Sequence, residues 1–216
     1  MSTQIYANHR ENQKDLILEI AENLFIQHGI EQITIGKIAK EARLTRATIY
    51  KYFSNKEEIA KEIYKTITKT WADRNRDDVW SAGGNGYELI ERFVTTHFNN
   101  LIQNPREAQF VAEFNSLYAK AWPVEETIKL IDETLGQERN RVLDAIHAGL
   151  TDGSLRADME PELLLAAFFN FIAGMNNRLG EMGAKVGEEY SLNTQEIFTQ
   201  VCRIFLDGLK SGPTDS

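Results

Sequence analysis

Apolar residues recur along nearly the whole of this chain at intervals of three and four, the repeat of one helix face, and strand-like alternation is scarce. That periodicity leaves room for little besides helices, and glycine and proline say where each one stops. One face over residues 12–28 carries Ile17, Ile20, Ala21, Leu24 and Phe25, and Gly29 follows in the usual C-terminal position. Thr34 stands where an N-cap belongs, ahead of a short helix over residues 35–42, and Thr45 can cap another over residues 46–52. Ser54-Asn55-Lys56-Glu57 has capping-box spacing and opens a long helix to about residue 80. The Gly-rich run from Ser81 to Gly86 is a loop. Helices over residues 87–103, 106–121 and 124–150 follow, parted by Asn104-Pro105 and Trp122-Pro123, because the residue before proline avoids the helical region. After a turn at residues 151–154, two last helices span residues 161–180 and 193–209. The expectation is an all-α chain of about nine helices, three short ones in a head (residues 1–55) and six in a body (residues 56–216).

Charge separates the same two parts. The chain carries a formal net charge of −8, yet residues 1–60 hold as many basic as acidic side chains, so the whole excess lies beyond them. From Arg43 to Lys56 there are four basic residues and no acidic one. A cationic spot on an acidic body suits a localised contact with a polyanion. No run approaches the ~20 apolar residues of a membrane span. The N-terminal residues lack a secretion signal's apolar core, and Cys202 is the only cysteine, so a cytoplasmic address is expected. His97 and His147 lack partners at metal spacing, and no phosphate loop, serine elbow or zinc-protease motif occurs. Neither a cofactor nor a catalytic site is expected.

Two short helices joined by a tight turn, from Thr34 to Phe53, have the helix-turn-helix layout, whose second helix enters the major groove. Burying Ile35, Ile38, Ala39, Ala42, Leu44, Ile49 and Phe53 turns Arg46, Ala47, Thr48, Tyr50 and Lys51 outward. Arginine grips guanine edges, alanine and threonine methyls meet thymine methyls, and tyrosine and lysine bind phosphates. The order and spacing of these residues resemble the N-terminal signature of TetR-family regulators. Ala21-Glu22-Asn23-Leu24-Phe25-Ile26-Gln27-His28-Gly29, the step from Thr34 to Ala39, and the run from Tyr50 to Glu57 carry the likeness over roughly fifty residues. The resemblance implies phosphate contacts from Thr34, Tyr50 and Lys56, and base contacts from Arg46, Ala47 and Thr48. Thr45, at the start of the reading helix, joins this set. Arg43 departs from the pattern by standing where the family very often has glycine. If the backbone there is left-handed it is strained, and its charge makes it a candidate for an added phosphate contact.

In the body, residues 163–173 are apolar around nearly the full helix circumference, so that helix must be covered on every side. The resemblance implies that the last two helices pair with their copies across a two-fold axis, through Leu164, Phe168, Phe171, Ile172, Phe198, Val201 and Phe205. A homodimer of that kind matches a palindromic double-stranded DNA operator with half-sites about 34–36 Å apart, or multiples of that. Phe93, His97, Phe110, Phe114, Tyr118 and Trp122 lie at helical spacings on the middle helices and are candidates to line a small-molecule effector cavity. The expected function is a ligand-responsive transcriptional regulator, most simply a repressor released by its effector. The alternatives are control by a protein partner, or activation.

Overall fold

The computed structural model describes residues 2–119 and 121–211. Among them are ten α-helices: α1 (Ser2–His28), α2 (Ile35–Glu41), α3 (Arg46–Tyr50), α4 (Lys56–Asn75), α5 (Gly86–Gln103), α6 (Pro105–Phe114), α7 (Val124–Asp152), α8 (Pro161–Met182), α9 (Lys185–Tyr190) and α10 (Thr194–Asp207). The fold is all-α, as the periodicity predicts. Two helices loosen at their C-termini into single π-type turns, α4 at Arg76–Trp80 and α6 at Asn115–Ala119. The expected helix over residues 106–121 therefore divides, and Lys120 within it lies outside the described residues.

The helix ends follow local chemistry. α1 closes on Gly29 at φ 84°, whose N–H bonds the Phe25 carbonyl at 2.7 Å. Thr34 and Thr45 cap α2 and α3, their hydroxyls accepting from the Lys37 N–H at 3.2 Å and the Thr48 N–H at 3.0 Å. The reciprocal cap of α4 sits one residue later than the sequence suggests. Asn55 accepts from the Glu58 N–H at 2.8 Å, and the Glu58 carboxylate reaches back to the Ser54 N–H at 2.6 Å. Glu57 is thereby freed for a contact with the body.

In the head, α1 lays Ile17, Ala21, Leu24 and Phe25 against Ile38 and Ala39 of α2, Ile49 of α3 and the buried Phe53. The Tyr52 hydroxyl ties this unit together by donating to Gln13 Oε1 at 2.6 Å. In the body, α5 crosses α7 so closely that a Cβ on Gly86 would stand 2.1 Å from the Gly149 nitrogen, so only glycine permits the crossing. The turn after α7 caps α5 in return: Asp152 Oδ2 accepts from the Gly86 N–H at 3.1 Å, and Ser154 Oγ from the Tyr87 N–H at 3.1 Å. One apolar core runs unbroken from α1 to α10. No helix among the described residues is long and apolar enough to cross a membrane.

α9 is the helix that the periodicity does not predict. Only six residues long, it carries Gly187, whose missing side chain lets the Leu192 carbonyl approach. A helix of that length is held by packing, not by a repeat.

Candidate nucleic-acid interface and effector cavity

The surface expected to read DNA is the outer side of α2 and α3. Ile49 is the buried residue of α3, and around it Arg46, Ala47, Tyr50 and Lys51 face solvent, Tyr50 with 55% of its surface exposed. Thr48 is half-buried, its hydroxyl 2.9 Å from that of Thr45. Thr34 and Thr45 are exposed beside their caps, and Lys37 and Lys40 of α2 add two exposed cations that sequence reasoning passed over. Their spacing along the solvent side of α2 was the available signal.

Two arginines shape this surface. Arg43 has φ 55°, so the turn between α2 and α3 does place a non-glycine side chain in the left-handed region. Arg46 folds back across α2: a Cβ on Gly36 would meet its Nη2 at 2.5 Å and its Nε at 2.8 Å. The absence of a side chain at position 36 makes room for the guanidinium. Lys56 behaves differently from the exposed cations. Its ammonium donates to the Ile30 carbonyl at 2.7 Å and the Glu31 carbonyl at 3.2 Å, bracing the turn between α1 and α2. Those carbonyls offset the poor placement of a cation at a helix start.

The body holds a partly open cavity of about 600 Å³, walled by α4, α5, α6, α7 and α8. Four of the six expected residues line it: Phe93, His97, Phe114 and Trp122. Phe110 does not. It is buried between Phe25 of the head, 6.3 Å away between ring centres, and Phe114 at 6.4 Å, so it joins the two parts of the chain. Tyr118 backs the wall instead, stacked on Trp122 at 6.3 Å. Sequence reasoning missed Tyr64 and Trp71 on α4, Glu138 on α7, and Phe169 and Asn176 on α8. The α4 pair shares a helical stripe with Thr68, a visible signal, but nothing in the stripe says that it faces a void.

Within the cavity His97 is buried, its Nε2 3.0 Å from Asn176 Oδ1, and desolvation pulls its pKa down to about 4. Burial pushes the Tyr64 phenol up to about 12. Glu138, also buried, accepts from the Trp80 indole N–H at 3.0 Å and from Arg141 at 2.9 Å. Desolvation raises its pKa against the opposing pull of those two partners.

Contacts beside the cavity reach the start of α4 and the turn after α1. The Trp122 indole N–H donates to Glu57 in the first turn of α4, while the Lys61 ammonium sits 4.8 Å over the same ring. On α6, Glu113 beside the cavity-lining Phe114 accepts from the Ile30 N–H at 2.8 Å. The turn after α1 is thus held by Glu113 from the body and by Lys56 from α4.

Of the seven residues expected to face a partner copy, Leu164, Phe168, Ile172 and Phe198 are buried inside the single chain. α8 packs on α5, α6 and α7, and this accounts for much of its apolar circumference. Phe171, Val201 and Phe205 remain half-buried, with Phe171 and Phe205 stacked at 4.0 Å. The outward face belongs instead to Leu163, 62% exposed, Ala167 and Gly174 on α8, and Ile204, 65% exposed, on α10.

This architecture has known counterparts. Residues 17–63 match the family model described as bacterial regulatory proteins, tetR family. The regulator QacR of Staphylococcus aureus is 27% identical over 150 residues, 68% of this chain and 73% of that protein. The repressor KstR2 of Rhodococcus jostii is 25% identical over 203 residues, 94% of this chain and 93% of that protein. Among solved structures, FadR of Bacillus subtilis in complex with stearoyl-CoA superposes with a TM-score of 0.68 at 20% identity, covering 90% of this chain and 98% of that one. The ketosteroid regulator KstR2 of Mycobacterium tuberculosis gives 0.64 at 20% identity, over 92% and 95%. The head carries the tetR-family domain over residues 17–63, and over nearly its whole length the chain is similar to TetR-family transcriptional regulators, which are not enzymes.

Proposed function

We propose that this regulator is a repressor that grips a palindromic operator as a symmetric dimer and is released when a small molecule enters its body. The observation that carries this reading is the coexistence of an exposed helix α3 with a sizeable apolar cavity, together with the hold that Glu113 on α6 and Lys56 on α4, two helices of the cavity wall, keep on the turn ahead of α2. Relatives support its two halves: KstR2 is named a repressor, and FadR holds stearoyl-CoA. Such a protein works where the chromosome is, in the cytoplasm.

In this reading residues 1–55 form the DNA-binding head and residues 56–216 the sensing and dimerising body. Arg46, Ala47 and Thr48 face base edges. Thr34, Arg43, Thr45, Tyr50 and Lys51 hold phosphates, and Lys56 braces the turn with two donors and keeps a third for a phosphate. Arg46 swings off Gly36 to reach the groove. The dimer seam runs along Leu163, Ala167, Phe171 and Gly174 of α8 with Ile197, Val201 and Ile204 of α10. An effector touching Trp122 or Phe114 alters the seating of the α4 start through Glu57 and the hold of Glu113 on the turn after α1, and release follows only if the effector prefers the altered shape. The open cavity favours a small-molecule effector over a protein partner.

The test is operator binding by Arg46→Ala and Tyr50→Ala, on DNA selected from a random pool. Both side chains are exposed, so the expected outcome is an intact helical spectrum with weakened binding. For Arg46→Ala the loss is about 1–3 kcal/mol, with relaxed preference at one base position. Wild-type gel-shift affinity in both variants would reject α3 as the reading helix.

A further inference from the structure

The cavity is large enough for a drug-sized molecule, within the ~300–1,000 Å³ of ordinary ligand sites. Its polar groups limit what that molecule can be. Much of the wall is aromatic, from Tyr64, Trp71, Phe93, Phe114, Trp122 and Phe169. Three charged side chains line it: Glu138, Arg139 and Glu162. Glu138 is the buried one, and both of its oxygens are already taken, by Trp80 and by Arg141. Arg139 pairs with Asp132 at 3.5 Å in a half-exposed position, and Glu162 is exposed.

The buried part of the wall therefore offers no spare counter-charge. An ionised group moved there would lose its hydration and gain no partner. Aromatic faces attract cations, but a cation entering the buried part of the wall would find its one carboxylate, Glu138, already matched by Arg141. Neutral hydrogen-bonding groups fare better. Among the described residues, the Asn176 amide N–H₂ and the carboxamides of Asn115 and Asn177 have no partner within the chain, and all three residues line the cavity. His97, uncharged at neutral pH, orients Asn176 without adding charge.

Building on the reading of the body as a small-molecule sensor, we propose that the cavity selects an uncharged, mainly aromatic molecule carrying a neutral hydrogen-bonding group set against Asn176, and discriminates against ionised ligands. The full-length protein is titrated with N-phenyl-1-naphthylamine, with its sulfonated analogue 1-anilinonaphthalene-8-sulfonate, and with the cation ethidium. Probe fluorescence and quenching of Trp71 and Trp122 report occupancy, and the affinity for selected operator DNA is measured alongside. The neutral amine is expected to bind at least tenfold more tightly than either charged probe. Ala166→Phe, which enters the cavity from an exposed and therefore tolerant position, is expected to weaken that binding at least fivefold. Equal or tighter binding of a charged probe overturns the selectivity and leaves the sensor reading standing. Binding of the amine that ignores Ala166→Phe overturns the assignment to this cavity. If none of the three probes binds or alters operator affinity, both the selectivity and the sensor reading fall.

Discussion

Arg43 and His97 each occupy a place that costs the fold something, and each cost can be measured. Arg43 holds a left-handed backbone without being glycine, at a cost of roughly 1 kcal/mol. Arg43→Gly is therefore expected to raise stability by up to that amount in urea denaturation. If the guanidinium meets a phosphate, the same variant binds operator more weakly at low salt, and the slope of log affinity against log salt falls by about one. A stabilised variant with an unchanged slope would leave Arg43 as a strained turn residue only. His97 has Trp71, Phe93, Phe98 and Asn176 around its ring and a folded pKa of about 4, below the ordinary 6.5. Between those two values the unfolded chain binds a proton that the folded chain refuses, so stability falls as pH drops from about 6.5 to about 4 and levels off below. The loss is of order 3 kcal/mol at most. Chemical denaturation at several pH values should find it, and His97→Phe should flatten that part of the profile.

At the scale of elements, α4 is shared: its first turn braces the head and its middle walls the cavity. Glu113 is the matching contact from α6. Glu113→Ala leaves the half-buried Ile30 N–H without its acceptor, a cost of about 1–3 kcal/mol. Faster hydrogen exchange at residues 29–34 is the expected signature, and unchanged exchange would show that water replaces the carboxylate at no cost. Trp122→Phe keeps an aromatic wall while removing the indole N–H that holds Glu57. Effector binding should survive it while the effector's influence on operator affinity shrinks, a separation that measuring the two affinities in each other's presence can detect. Loss of binding and coupling together would make Trp122 a wall residue alone.

For the whole molecule the prediction concerns assembly. Leu163 and Ile204 are the most exposed large apolar residues of α8 and α10, and surfaces of that kind mark interaction sites when they are contiguous. Leu163→Glu combined with Ile204→Glu should yield a helical monomer by light scattering, with operator affinity lost along with the second head. A dimer that persists would move the seam elsewhere. What the sequence determined by itself is the local part of this protein: helix type, the caps at Thr34 and Thr45, the break at Gly29, and the order of the outward residues on α3. Each depends on spacing and backbone chemistry within a few residues. Tertiary structure alone decided which apolar stripes meet. Phe93 and Phe110 read alike in sequence, yet one lines a void and the other seals the head to the body. Leu163 and Leu164 are neighbours, one outward and one in the core. An apolar side chain records that it must be covered; what covers it depends on helices that arrive from far along the chain.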